Sequence, residues 1–341
     1  MGEIEAKKIG ICETDIRPKD LEAGKIDALN ADVKRLKSWK QEFVTVPCPG
    51  CGTNEGVFEF EKYGFTFDRC PRCGTAYMNP RATPEMLANF YGQSVLYEYW
   101  NSYIFPASRG VRMERIFRPR VQRILDLCAK WNIASGTLVE VGSATGMFCE
   151  EVEACGAFKR VIGIEPGTAQ AATCRAMGIE IIEATLEQVD VLDTPADVIV
   201  SFETIEHVYS PRDFINRCHK LLAPGGLLIL TCPNYEGFDI MTLGVLSDSL
   251  DAEHINMFNP SALTGLVESL GFDVLEISTP GELDAELVRN KVIDGSLCLD
   301  DQHFLRKILI DDWDNLGRTF QDYLKSQHLS SHMWVAARSK V

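Results

Sequence analysis

The sequence is poor in the features that mark membrane proteins and nucleic-acid-binding proteins. Apolar runs such as Leu227–Leu230 are far shorter than the roughly 20 residues of a membrane-spanning helix, so no membrane partner is expected. The stretch Met1–Lys8 lacks the apolar core of a secretory signal, which predicts a cytoplasmic protein. Basic residues are scarce, because 34 Lys and Arg stand against 49 Asp and Glu, for a net charge of −15. Such a surface repels a polyanion, so the composition argues against a nucleic-acid partner.

Twelve cysteines are present, and four of them form two Cys-x-x-Cys pairs. Cys48–Cys51 and Cys70–Cys73 are separated by 18 residues, and a glycine follows each pair. This spacing predicts a tetrahedral zinc site with four cysteine ligands, and a closed set of four thiolates predicts a structural zinc. Disulfides and redox-active pairs are the alternatives. The remaining cysteines show no ligand spacing and are interpreted as small, mostly buried apolar residues: Cys12, Cys128, Cys149, Cys155, Cys174, Cys218, Cys232 and Cys298.

The order of polar, apolar and turn residues divides the 341-residue chain into four regions. The second contains the cysteine pairs, with strand-like alternation between them that predicts a small zinc ribbon. The last alternates strands and helices, which predicts an α/β fold with a mostly parallel sheet. The regions are a helical leader (1–46), the ribbon (47–80), a helical lid or linker (81–135) and the α/β domain (136–341), which carries a helical insertion at 280–330 before its last strand.

Several helix boundaries can be predicted from local signals. Helical periodicity covers Leu29–Phe43 and Arg109–Trp131, and Pro119 is expected to begin or kink the second of these helices. Thr83 before Pro84 is typical of a capped helix start. Asn259 before a proline predicts a second capped helix start, and Gly271 is expected to end that helix.

Four motifs follow one another in the α/β domain. The first, Thr137–Gly146, is an apolar strand that ends in Glu140 and a Gly-x-x-x-Gly turn, a form that allows close approach of the backbone to a ligand. The second, Val161–Glu165, is a strand ending in a carboxylate that can accept hydrogen bonds from a ribose diol. Two further strands lie in Ala196–Val208 and Leu221–Asn234.

These four motifs, in this order, resemble those of class I S-adenosylmethionine-dependent methyltransferases. The resemblance implies a Rossmann-like sheet that is mostly parallel with an antiparallel last strand, and S-adenosylmethionine as cofactor, with S-adenosylhomocysteine as product. The sulfonium itself is the electrophile, so no catalytic metal is expected. By resemblance the cofactor-binding residues are Glu140, Gly142, Ser143 and Gly146 in the first turn, Glu165 at the ribose, Thr185 and Leu186 at the adenine, and Ser201 near the methionine end.

Two Glu-His pairs are candidates for proton transfer. Glu206–His207 follows the fourth strand, and Glu253–His254 lies in the connection after the fifth, at the edge of the sheet where ligands of α/β proteins bind. A histidine beside a carboxylate can be tuned near neutrality, so His254 supported by Glu253 is the predicted general base. His207 is the second candidate, and a structural role for either histidine is the alternative. Aromatic residues that pack as a lid or stack on a sugar precede the sheet: Tyr91, Tyr97, Tyr99, Trp100 and Tyr103.

The ribbon and the second Glu-His pair together resemble the zinc-ribbon methyltransferases of sugar biosynthesis. The resemblance covers about residues 47–275 and implies a sugar acceptor, either nucleotide-linked or part of a surface polysaccharide, methylated on oxygen or carbon. Methylation of a natural product or quinone hydroxyl is the alternative. The net charge argues against a nucleic-acid methyltransferase, and the intact Gly142, Gly146 and Glu165 argue against a non-catalytic docking protein.

Overall fold

The computed structural model describes residues 10–340. The prediction that Met1–Lys8 contains no secretory signal concerns a segment outside this range. The strands are β1 (Val57–Lys62), β2 (Phe65–Arg69), β3 (Ala76–Met78), β4 (Thr137–Val141), β5 (Arg160–Ile164), β6 (Glu180–Ile182), β7 (Ala196–Phe202), β8 (Leu222–Pro233), β9 (Asn256–Met257), β10 (Phe272–Ser278) and β11 (His332–Ser339). The α-helices are α1 (Glu13–Ile16), α2 (Glu22–Ser38), α3 (Pro84–Gly92), α4 (Val95–Tyr99), α5 (Phe105–Arg112), α6 (Arg118–Trp131), α7 (Met147–Cys155), α8 (Thr168–Ala176), α9 (Pro211–Leu221), α10 (Phe238–Leu243), α11 (Pro260–Ser269), α12 (Asp284–Ile293), α13 (His303–Arg306) and α14 (Trp313–Ser326).

The larger sheet confirms the predicted Rossmann-like architecture. Among residues 10–340 it has seven strands in the order β10-β11-β8-β7-β4-β5-β6. All neighbouring pairs from β8 to β6 are parallel, whereas β11 runs antiparallel to both β8 and β10. Apolar residues of the central strands, such as Val139, Ile199 and Ile229, are fully buried between helices on the two faces. The carboxyl ends of β4, β5, β7 and β8 therefore meet at one edge.

The cysteine region forms a smaller sheet that extends beyond the predicted ribbon. Strands β1, β2 and β3 pair antiparallel, and β9 from the connection after β8 joins β3 through Ala76↔Met257 and Tyr77↔Asn256. The sequence did not predict β9, because a two-residue strand leaves no periodic signal. The ribbon sheet is thereby continuous with the segment that carries the second Glu-His pair.

The helices before β4 largely follow the sequence signals, with differences at their ends. Helix α2 begins at Glu22 and ends at Ser38, earlier than the predicted Leu29–Phe43, and a short 3-10 turn follows at Lys40–Glu42. The Thr83 side chain accepts from the Met86 N–H and caps α3 as predicted.

Two prolines lie inside the long helical segment from α4 to α6. A π-helical turn precedes each of them, at Trp100–Ile104 before Pro106 and at Met113–Phe117 before Pro119. Proline offers no N–H and its ring crowds the preceding turn, and the wider π turn accommodates both effects. Pro119 therefore lies in the first turn of α6, where it begins that helix as predicted, and the helical segment continues through it.

The segment between β10 and β11 forms the predicted helical insertion. It contains α12, α13 and α14 with a π-helical turn at Lys307–Asp311, and it has its own apolar core around Val288, Leu309 and Leu324. None of the helices among residues 10–340 combines the length and the apolar character of a membrane span.

Candidate active site

Two glycines shape the turn after β4. Gly142 and Gly146 have φ values of +79° and +74°, in the left-handed region that favours glycine. A Cβ on Gly142 would lie 2.6 Å from Thr204 Oγ1 in the loop after β7, and one on Gly146 would lie 2.6 Å from Ile179 Cδ1. Between them the buried Ser143 hydroxyl makes no well-formed hydrogen bond among the described residues. The turn thus has a tight backbone whose conformation requires glycine at both positions.

Glu165, at the end of β5, holds this turn in place. Its Oε2 accepts from the Ala144 N–H and its Oε1 accepts from the Gly167 N–H, both at 2.8 Å. Burial raises the pKa of the carboxyl, and the two backbone N–H groups oppose that shift. Each carboxylate oxygen keeps a second lone pair, so Glu165 can hold the turn and still accept hydrogen bonds from a diol.

Glu140 is the buried acid of the same turn. The Cys149 thiol lies 3.1 Å from its Oε2 and donates to it. Burial raises the pKa of Glu140 to about 8. An uncharged carboxyl can donate a hydrogen bond as well as accept one.

The elevated pKa of Glu140 predicts a pH-dependent stability in the absence of ligand. The unfolded chain releases this proton near the ordinary value of 4.5, whereas the folded chain releases it only near pH 8. Between these values the folded state binds more protons, so the free energy of unfolding should fall as pH rises, by up to about 1.4 kcal/mol per pH unit. Glu140→Gln lacks this contribution. Urea unfolding from pH 5 to 8 should show the wild type losing stability relative to the variant, and parallel curves would contradict the assignment.

The other predicted cofactor residues lie at the same edge but are engaged differently. Thr185 caps a 3-10 turn over Leu186–Gln188, and its N–H donates to the Gln188 side chain. Leu186 is buried in the core beneath this turn. The Ser201 hydroxyl donates to the Val141 carbonyl at 2.9 Å, so it links β7 to β4. The Ser201 hydroxyl is thus engaged within the sheet.

The two Glu-His pairs, which the sequence presents as rivals, lie in one cluster. The rings of His207 and His254 have centroids 4.7 Å apart. The Nδ1 atom of His207 lies 3.1 Å from the Glu253 carbonyl, and that of His254 lies 2.7 Å from the Ser249 carbonyl. Because a carbonyl oxygen only accepts, each Nδ1 carries a proton, so in the neutral form of each ring the lone pair is on Nε2. Burial lowers the pKa of His207 to about 3.

The carboxylates of these pairs are arranged differently from the prediction. Asp251, rather than Glu253, stands beside the imidazole of His254, with 3.9 Å between Asp251 Oδ1 and Nδ1. The cause is a local turn, in which Asp251 Oδ1 accepts from the N–H groups of Glu253 and His254. Glu253 meets His207 only through its backbone carbonyl. Both Glu206 oxygens are buried without a hydrogen-bond partner, and burial raises the pKa of Glu206 well above its usual value.

Asn256 and Arg81 fix the loop that carries Glu206 and His207. The Asn256 amide donates to the carbonyls of Ile205, Glu206 and Val208, and the shortest of these contacts is 2.7 Å. Its Oδ1 accepts from the fully buried Arg81 guanidinium at 2.9 Å. Since Asn256 lies in β9, the ribbon sheet and the histidine cluster share one set of hydrogen bonds.

A third polar group, whose members the sequence analysis did not relate to one another, lies at the same edge of the sheet. Glu203, at the end of β7, has a φ of +49°, and its Oε1 is 3.2 Å from Nδ1 of His332, the first residue of β11. Arg120 of α6 approaches His332 Nε2 at 3.5 Å. Although partial desolvation by the surrounding protein opposes ionisation, His332 and Arg120 hold the pKa of Glu203 below its usual range. The available signal for His332 was its place at the start of the last strand. That strand lies beside β8, and His332 pairs with the last residue of β8.

The aromatic residues before the sheet separate into two sets. Tyr91 and Tyr97 contact the edge of His207, with ring centroids 6.1 and 6.3 Å from it, and the Tyr91 hydroxyl donates to the His207 carbonyl. The Tyr99 hydroxyl instead donates to the Leu21 carbonyl, and Trp100 packs against Phe105. The first set covers the histidine cluster, and the second holds the lid helices together.

The four cysteines of the ribbon converge as a metal-binding set. Their Sγ atoms lie within 4.8 Å of one another, with 3.5 Å between Cys48 and Cys73 and between Cys51 and Cys70. Both pairs turn through a left-handed glycine whose N–H donates to the carbonyl of the first cysteine. Four converging thiols with repeated turns fit a tetrahedral ion.

Comparison with known proteins identifies the class of the α/β domain. Residues 113–277 match the family model described as a methyltransferase domain. A probable S-adenosylmethionine-dependent methyltransferase of Mycolicibacterium smegmatis is 32% identical over 119 residues, which cover 34% of this chain and 44% of the relative. A ubiquinone biosynthesis O-methyltransferase of Nitrobacter winogradskyi is 27% identical over 165 residues, which cover 44% of this chain and 60% of that protein. Over residues 113–277 the chain is therefore similar to methyltransferase domains, and one of these relatives is named as S-adenosylmethionine-dependent.

Among solved structures, an S-adenosylmethionine-dependent methyltransferase from Clostridium acetobutylicum overlaps with 71% of this chain and 99% of its own, at 10% identity and a TM-score of 0.48. A possible histamine N-methyltransferase from Thermotoga maritima overlaps with 53% of this chain and 82% of its own, at 21% identity and a TM-score of 0.42. The curated relatives named above are matched over about half of their length, 44% and 60%.

Proposed function

We propose that the protein transfers the methyl group of S-adenosylmethionine to a sugar, either nucleotide-linked or part of a surface glycan, in the cytoplasm. The observation that supports this best is the polar histidine cluster beside the cofactor turn. Two Nε2 lone pairs and several carboxylates at the carboxyl edge of the sheet suit an acceptor rich in hydroxyl groups. The ribbon, which resembles that of sugar methyltransferases, is consistent with such an acceptor.

The residues of the first turn are proposed to bind the cofactor. Gly142 and Gly146 allow the backbone to approach the methionine and ribose portion, and the unpartnered Ser143 hydroxyl donates to it. Glu165 accepts from the ribose hydroxyls, while the segment around Thr185 and Leu186 flanks the adenine. When bound, the sulfonium supplies the electrophilic methyl group.

His254 is proposed to take the proton of the acceptor on Nε2. Its Nδ1–H is fixed by the Ser249 carbonyl, which sets the tautomer that a general base needs. Asp251 beside the ring stabilises the imidazolium that forms. The acceptor oxygen or carbon then attacks the methyl carbon as the sulfur–carbon bond breaks, and the bonding pair stays on sulfur. His207, packed against it, positions the ring of His254.

Replacement of His254 tests this role. Loss of a general base costs about 10²–10⁴-fold in rate, so His254→Ala should lower turnover by that factor with little change in cofactor affinity. His303→Ala, on the exposed face of the insertion, is the matched control and should retain wild-type turnover. Turnover is measured with a panel of nucleotide-linked sugars. If His254→Ala stays within a few-fold of wild type on an active acceptor, His254 is not the base.

Hydrogen exchange with the solvent distinguishes C-methylation from O-methylation. In heavy water without cofactor, deuterium incorporation beside an acceptor carbonyl, lost in His254→Ala, would indicate C-methylation. A methyl ether without exchange would indicate O-methylation.

A small phenolic or quinol acceptor is the second candidate. Several relatives are named ubiquinone biosynthesis O-methyltransferases, with identities of 24–27%. Tyr91 and Tyr97 over the histidine cluster provide aromatic edges for a ring. Methylation of a catechol but of no sugar in the same panel would favour this candidate.

We also propose that the four ribbon cysteines hold one structural zinc ion. Four thiolates fill the coordination sphere, so no position remains for a reacting group.

A further inference from the structure

We propose that Glu206, His207 and His254 form a second metal site, for a divalent cation. One ligand atom of each residue lies within 4.8 Å of the others. Two imidazoles and one carboxylate are a donor set that first-row divalent cations favour. The role given to the ion below rests on the proposed methyl transfer, whereas its binding does not.

The two histidines are already oriented as metal ligands. A ligating histidine usually donates its other N–H to a backbone carbonyl or carboxylate, which fixes the ring. Here both Nδ1–H groups do so, to Glu253 at 3.1 Å and to Ser249 at 2.7 Å. The lone pairs therefore remain on Nε2, and the rings stand at 65° to each other, as two ligands of one ion can.

Glu206 supplies an independent observation. The residue is 1% exposed, and neither carboxylate oxygen has a hydrogen-bond partner. A buried polar group without a partner is costly, and such groups in native proteins commonly pair with ions. Glu203 and Asp251 add further negative charge around it. A cation between Glu206 and the two histidines would satisfy the carboxylate and offset this charge.

The surrounding hydrogen bonds hold the ligands on two separate loops at a fixed distance. Asn256 bonds to the Glu206 carbonyl and, two residues after His254, belongs to β9. Three protein ligands leave coordination positions open. The Nε2 lone pair of His254 is also the proton acceptor proposed above, so a bound cation and the general base exclude each other, and the ion should inhibit the proposed methyl transfer.

Cobalt(II) is a suitable probe, because its visible spectrum distinguishes thiolate ligands from nitrogen and oxygen ligands. Full-length protein of measured zinc content is dialysed against Co²⁺ in the absence of cofactor and acceptor. We expect one equivalent of Co²⁺ per chain, without zinc release and without a thiolate charge-transfer band. Glu206→Gln, which keeps the side-chain shape, and His254→Ala should each weaken binding by at least tenfold. His303→Ala should bind as the wild type does.

Absence of Co²⁺ binding by the wild type, binding only in exchange for zinc, or equal binding by both cluster variants would overturn the proposal. The fold of each variant is checked by its thermal unfolding. Cofactor affinity is measured by calorimetry on the same samples. A protein that binds the cofactor but no cobalt refutes the metal site alone, and one that binds cobalt but no cofactor refutes the proposed function alone.

Discussion

Gly142→Val is expected to abolish binding of S-adenosylmethionine, with at least a 100-fold loss of affinity in calorimetry. A β-branched residue at φ +79° is strained, at a cost of roughly 1–2 kcal/mol. Its Cβ would also lie 2.6 Å from the Thr204 hydroxyl, so either the turn or the loop after β7 must move. Both segments border the proposed cofactor site.

Gly156→Ala is the matched control for this variant. Gly156 also has a positive φ, of +63°, but a Cβ there meets nothing within 4 Å, at the far end of α7. This variant should lose some stability through backbone strain and still bind the cofactor. If Gly142→Val binds the cofactor within a few-fold of wild type, the turn is not the binding site.

Cys70→Ser is expected to release the ribbon metal and to unfold the ribbon, since small metal modules obtain most of their folding free energy from the ion. The effect should spread to the histidine cluster. Strand β3 pairs with β9, and the Cys73 carbonyl accepts from the Asn259 side chain that caps α11. Methyl transfer should therefore fall with the metal content.

Metal analysis and hydrogen exchange measure these two effects. Wild type should contain one zinc and Cys70→Ser none, with faster exchange at both the ribbon and residues 251–258. Cys298→Ser, at an exposed cysteine outside the ribbon, should match the wild type. Full zinc content in Cys70→Ser, or rapid alkylation of the four ribbon thiols in native protein, would refute the zinc site.

The elements that the sequence predicts best are those specified by local signals. Apolar runs with strand lengths identify β4 and β10, and side-chain caps at Thr83 and Asn259 mark helix starts to the residue. A glycine turn after an apolar strand likewise marks the candidate cofactor site, because the backbone conformation itself requires glycine.

The features that the sequence does not predict depend on contacts between distant segments. His332 and Glu203 meet only once β11 is inserted beside β8, and no spacing rule relates them. The two Glu-His pairs converge because Asn256 bonds to the loop of His207, and a turn at Asp251 decides which carboxylate faces His254. Such long-range geometry follows from the topology of the sheet rather than from any one motif.

The π-helical turns before Pro106 and Pro119 have a consequence for sequence comparison. Each turn holds one residue more than an α-helical turn would, and one residue corresponds to a rotation of about 100° around a helix. A relative with one residue fewer in 113–117, and no proline after it, can present the same helical faces. In an alignment such a gap would mark the same geometry rather than a lost segment. In this protein the π turn places Arg120 over the ring of Phe202, at 4.5 Å from the ring centroid.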